Sequence, residues 1–251
     1  GTNAINIINA TAPIAITNSG LINGAVILDH STLTLEGTTG RVTGAVSGGT
    51  DSTVTVNGTF TTENTFSVDN VAVGTSGRFT IGHGMTATSG LSNAGTLSVT
   101  GGGTINGAIT NSGAITNSGL INSAVSLGNG TLTLEGTTGR VTGAVSGGVG
   151  STVTVNGTFT TANTFNVDTF AINAGGQLNI GHGVTTTSGL SNAGTLVVAG
   201  GTISGAITNS GLLDGAVSLG GSALTLDGPT GRVTGAVSGG AGSTVTVNGT
   251  F

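Results

Sequence analysis

The stretch LTLEGTTGRVTGAVSGG occupies positions 33–49, returns unchanged at 132–148, and returns again at 224–240 as LTLDGPTGRVTGAVSGG. Its acidic residue falls at Glu36, Glu135 and Asp227, so successive copies lie 99 and 92 residues apart. The difference is accounted for by a doubled AITNSG around Ala114–Gly119 and one glycine near Gly103. β-Sandwiches do not usually copy one block almost unchanged. Stacked units do, because each has an apolar interior that it cannot bury alone and that an equivalent neighbour completes.

Inside the long repeat a shorter unit recurs, in which two apolar residues flank one small polar residue and a glycine or asparagine turn follows. Leu33/Leu35, Val54/Val56, Val71/Val73 and Leu97/Val99 are examples. The period of two in STLTL and STVTV turns Leu and Val to one side of a strand and Thr to the other. No stretch shows the i, i+3, i+4 apolar spacing of an amphipathic helix, and glycine is frequent wherever a helix would have to run. Glycine and asparagine in EGTTG, VNGT and SGG suit tight turns, because both accept positive φ. The chain is therefore expected to be all-β, a single-stranded parallel β-helix or β-solenoid with about 20 residues per coil and about five coils per long repeat. Residues 1–251 read as one continuous solenoid of three long repeats, about 16–114, 115–206 and an incomplete 207–251. The opening and closing residues fall within the repeat pattern, which reads as a fragment of a larger protein. Phe60, Phe66, Phe159 and Phe165 recur as bulky plugs of a narrow interior.

The composition, with 50 glycines, fits this fold and excludes others. A disordered chain has low hydrophobicity and many charges, whereas here 35% of residues are hydrophobic and 5% are charged. Collagen needs glycine at every third position and abundant proline, and this chain has two prolines. No run approaches the roughly 18 apolar residues of a membrane-spanning helix, so this segment is not expected to be membrane-embedded. A net charge of −5 with four arginines and no lysine cannot form the basic stripe that nucleic acid requires. Without cysteine, disulfides and thiolate metal sites are excluded.

The residues that could carry chemistry are few. Glu36–Arg41, Glu135–Arg140 and Asp227–Arg232 recur across the EGTTG or DGPTG turn and read as ion pairs closing an exposed corner, of the kind that contributes about 0–1 kcal/mol. His83 and His182 take equivalent places in IGHG, five coils apart, and cannot share one ion. His30 stands beside Asp29, which supplies two ligands and no complete site. Asn57, Asn129, Asn156 and Asn248 begin Asn-Gly-Thr, a match expected by chance in a chain so rich in these residues. No GxSxG, HExxH, P-loop or glycine-rich calcium nonapeptide is present. Accordingly no catalytic, cofactor-binding or metal residue is assigned, no cofactor is expected, and the chain is not expected to be an enzyme.

The strings ITNSGLIN (Ile16–Asn23, Ile115–Asn122), LSNAGTL (Leu91–Leu97, Leu190–Leu196) and VNGTF give the chain its family likeness. It resembles the repetitive passengers of autotransporter-type (type V secreted) bacterial surface adhesins. That resemblance implies a right-handed parallel β-helix exported across the outer membrane to the cell surface, with the full-length protein anchored through an outer-membrane barrel or a partner. It implies a structural and adhesive rod serving attachment, aggregation or biofilm formation, its partners being host-cell, abiotic or self surfaces. The alternatives are a solenoid face that binds ice or polysaccharide and a β-helix enzyme that degrades polysaccharide. A flat threonine plane would favour ice. Reading Thr32/Thr34, Thr53/Thr55, Asn70/Ala72 and Thr96/Ser98 as successive rungs, however, that plane is broken within each long repeat.

Overall fold

The computed structural model describes residues 3–62 and 64–249, and its regular elements are all β-strands. The chain divides into two compact units, Gly1–Ser126 and Leu127–Phe251. Each is a parallel β-solenoid, so the expected fold class holds.

In the first unit every turn of the chain has three sides. The first side stacks Asn3–Asn6, Ala25–Leu28, Val46–Gly48, the opening halves of Phe66–Val73 and Gly84–Asn93, Thr104–Asn106 and Leu120–Ile121. The second stacks Ile14–Asn18, Ser31–Leu35, Thr53–Val56, the closing halves of the same two long strands, Ile109–Asn111 and Val125–Ser126. On the third side, Leu21–Ile22 pairs with Arg41–Val42, and a ladder runs from Thr59–Thr62 through Arg78–Ile81 and Thr96–Val99 to Ala114–Asn117. Every pairing is parallel, since the chain returns to each side in the same direction one turn later.

The period-two pattern places the core. Leu33, Val54, Leu97, Val99 and Ile105 are fully buried while their neighbours Thr34, Thr55 and Ser98 are partly exposed. Burying one such side chain contributes roughly 1.5–3 kcal/mol, and the next turn supplies the cover. Stacked partners lie about 16 to 22 residues apart, as in Ile105↔Ile121 and Asn3↔Ala25. The wider steps seen in the sequence, such as Val71 to Leu97, arise because those residues belong to different sides.

Corners explain much of the glycine. A Cβ on Gly95 would lie 2.3 Å from the carbonyl oxygens of Gly74 and Gly77, and one on Gly113 would lie 2.1 Å from that of Gly95. These turns stack backbone directly on backbone, with no space for a side chain.

The second unit repeats the three-sided plan. One side runs Thr131–Leu134, Thr152–Val155, the closing halves of Phe165–Ile172 and Val184–Asn192, Ile207–Asn209, Ala223–Leu226 and Thr244–Val247. The next runs Thr158–Thr160, Gln177–Ile180, Thr195–Val198, Leu212–Asp214 and Arg232–Val233. On the remaining side Val145–Ser146 meets the opening halves of the long strands and then Ile203–Ser204, while Val217–Ser218 pairs with Val237–Ser238. Val153 and Val155 are fully buried, as their alternation with Thr152 and Thr154 requires.

Candidate functional site

The side-chain constellation that recurs in both units is a carboxylate at a register shift. Between Val68 and Asn70 the ladder to the next turn slips, so that Asp69 alone faces Thr88 and Ser89. One residue opposed by two is a bulge, and it brings both hydroxyls onto a single oxygen. Asp69 Oδ1 accepts from Ser89 Oγ at 2.5 Å and from Thr88 Oγ1 at 2.8 Å, while Oδ2 accepts from the Asp51 amide at 3.0 Å. The Asp69 amide in turn donates to Ser52 Oγ at 3.0 Å. The second unit repeats the arrangement. Asp168 Oδ1 accepts from Thr187 Oγ1 at 2.5 Å and from Ser188 Oγ at 2.6 Å, and Oδ2 accepts from the Gly150 amide at 2.8 Å. Its amide donates to the buried Ser151 Oγ at 2.9 Å.

Each aspartate therefore joins three successive turns. Donors directed at the ionised form favour it. The hydroxyl of Ser188, then that of Thr187 and the Gly150 amide, lower the Asp168 pKa to about 2, and the hydroxyls of Ser89 and Thr88 lower that of Asp69. Sequence reading passed over these two acids. The available signal was Val-Asp in both long repeats with Thr-Ser-Gly following at the same interval. With three donors on Asp168 and four on Asp69, where Asn70 Nδ2 also donates to Oδ2 at 3.2 Å, the arrangement is a turn-to-turn clamp.

A second recurrent feature lies inside. Asn93, Asn111, Asn192 and Asn209 are buried. Asn93 Nδ2 donates to Asn111 Oδ1 at 2.6 Å and to the Ala114 carbonyl at 3.1 Å, and Asn192 Nδ2 donates to Asn209 Oδ1 at 2.6 Å and to the Leu212 carbonyl at 2.9 Å. These are the asparagines of LSNAG and ITNSG. They sit two residues after an inward Leu or Ile and therefore point inward themselves, where their amides tie corner carbonyls that water cannot reach.

The expected corner ion pairs need correction. Glu36, Glu135 and Asp227 are exposed, and among the described residues Asp227 forms no ion pair with Arg232. The corner is held by the backbone ladder and by a threonine. Glu36 N donates to the Asn18 carbonyl at 2.8 Å and Thr39 Oγ1 to that of Ser19 at 3.0 Å. At the later copy, Asp227 N donates to the Asn209 carbonyl at 2.8 Å and Thr230 Oγ1 to that of Ser210 at 2.6 Å. A short hydroxyl next to its acceptor loses less freedom than two long charged chains held together in water.

His83 and His182 are both exposed. His30, in the left-handed region at φ 46°, has Nδ1 at 2.9 Å from Asp29 Oδ1 and Nε2 at 3.6 Å from Asp51 Oδ2, so the next turn adds a carboxylate to the pair seen in sequence. The His30 contact lowers the Asp29 pKa. Among the described residues no group of three or more histidines and acids is placed to hold a metal ion, and no helix is long and apolar enough to cross a membrane.

The outward rows also differ from their sequence reading. Thr96/Ser98 does not follow Asn70/Ala72. Thr96 and Ser98 lie over Arg78 and Thr80 on the third side, while Asn70 and Ala72 are followed by Gly90 and Ser92. In the correct register Thr61, Thr80, Ser98 and Thr116 form a row of hydroxyls on four successive turns. In the second unit Thr133, Thr154, Ala171, Ser191, Thr208, Thr225 and Thr246 form a longer row with one alanine in it. A scan of protein-family models finds none that matches the chain, and searches of curated proteins and of solved structures likewise return no match.

Proposed function

We propose that the chain is a structural and adhesive segment of an exported bacterial surface or secreted protein, whose sides serve attachment, aggregation or biofilm formation. The observation that carries this reading is the outward row from Thr133 to Thr246, in which small hydroxyl side chains, interrupted once by Ala171, repeat at roughly the 4.8 Å spacing of the ladder. Such a row offers many weak, equivalent hydrogen-bonding positions. The two aspartate clamps support the structural half, because each commits its donors to holding turns together.

Beads coated with the chain test the proposal. They are expected to clump, or to hold to glass and plastic, more than beads coated with the Val153→Asp variant, which places a carboxylate without a partner in the core. Equal behaviour of the two overturns the adhesive reading. A ligand-binding side is the second reading, favoured by the same hydroxyl rows. Retention of the chain on insoluble polysaccharide, or faceting of ice crystals in its presence, selects that reading instead.

A further inference from the structure

The two junctions between long repeats differ in the number of AITNSG hexapeptides. At the first the hexapeptide occurs twice, at 108–113 and 114–119, and at the second once, at 206–211. At the second junction Ile207 lies over Leu190, and the chain passes directly to the next side, where Leu212 lies over Thr195. At the first junction Ile109 lies over Leu91 in the same way, but Ala114 takes the place over Thr96, and Leu120 is carried one side further to lie over Thr104.

The extra hexapeptide is one complete side of a turn. Ile115 and Asn117 point into the core and are buried, the Ala114 and Ser118 amides donate to the carbonyls of Gly95 and Val99, and Gly119 turns the corner where a Cβ would meet the Thr100 carbonyl at 2.2 Å. Its effect is on direction. In the first unit Ile16 belongs to the second side and its copy Ile115 to the third, Ile22 to the third and Ile121 to the first, Val26 to the first and Val125 to the second. In the second unit, where the hexapeptide is single, Leu132 and its copy Leu224 lie on the same side, joined through Val153, Phe170, Leu190 and Ile207. Ninety-two residues thus make five whole turns, and ninety-nine make five turns and one side.

We propose that the second hexapeptide, Ala114–Gly119, is an indexing insert that decides which side of the solenoid each copied surface segment faces. Leu21–Ile22 and its copy Leu120–Ile121, which follows the insert, consequently stand on different sides of the first unit, whereas Ala108 and Thr110, which precede it, stay on the side of Ala15 and Thr17.

Because the chain has no cysteine, introduced pairs report the register. Stacked neighbours on parallel strands lie about 4.8 Å apart, within the span a disulfide bridges. In the full-length chain Thr104→Cys/Leu120→Cys is expected to oxidise to a disulfide and Thr96→Cys/Leu120→Cys to remain reduced. In the variant lacking 114–119 the two outcomes are expected to exchange, with the strand signal in circular dichroism unchanged. A deletion variant that still links 104 to 120 overturns the proposal. So does one that loses its strand signal, since an indexing insert must be removable as one whole side.

Discussion

The aromatic clusters of the two units fill equivalent interiors with the third ring in different places. In the first unit Phe60, Phe66 and Phe79 pack with centroid separations of 5.6 to 6.3 Å, Phe79 standing directly over Phe60. In the second, Phe159 and Phe165 keep their places, but the position equivalent to Phe79 is Leu178, and the ring appears instead as Phe170, where the first unit has Val71. Phe170 meets Phe165 at 5.7 Å, edge to face. Both arrangements are fully buried. The difference teaches that the interior holds a roughly constant volume per turn while leaving open which side supplies it, which is how a close-packed core tolerates paired exchange.

The largest expected effect breaks the second cluster from below. Val153 is fully buried between Leu132 and Phe170. A carboxylate there has no partner and costs several kcal/mol, on the order of 3–5, so Val153→Asp should open the chain to protease near that turn. Thr152→Asp, one residue away and partly exposed, should remain resistant. Equal digestion of the two would refute the inward and outward assignment.

A smaller loss sharpens the comparison itself. Phe170→Val is expected to cost about 1–3 kcal/mol through the cavity it leaves. Adding Leu178→Phe rebuilds the first unit's arrangement and should return most of that loss. Denaturant melts of the four proteins form a double-mutant cycle, and simple addition of the two single effects would show that the sites do not share one volume.

The clamps supply a test in pH. Because the folded Asp168 has its pKa lowered to about 2 from an ordinary 3.8, its stabilising effect is present above the unfolded value and is lost as pH falls through that window. Asp168→Asn should lower the melting temperature at neutral pH and flatten its decline between about pH 4 and pH 2 relative to the parent. Asp69→Asn should act in the same direction, and a parent-like acid limb in both variants would remove the clamps from the account. At the small end, Arg232→Ala should shift stability by less than about 0.5 kcal/mol, since its side chain is exposed while its backbone carbonyl still accepts from Asn209.

Much of this was legible without coordinates. Alternation in STLTL and STVTV assigned Leu33, Val54 and Val153 to the core, and near-verbatim copying pointed to stacked coils. The clamps and the asparagine column were not read, because their partners stand about a turn away in sequence. Asp69 reaches hydroxyls 19 and 20 residues on, chosen by a one-residue slip of register that no local pattern announces.

What the amino-acid sequence determined by itself is therefore local: strand, turn, inward phase and the approximate length of a coil. Each follows from the chemistry of neighbouring residues, namely alternation, glycine at corners and small side chains in a narrow interior. Only the tertiary structure decided which strand lies on which, as with Thr96 over Arg78 rather than after Asn70. The three sides of a turn carry the same alternating pattern, so sequence alone cannot tell one from another. The distinction is made by the hydrogen-bond ladder between successive turns and by the count of sides between them.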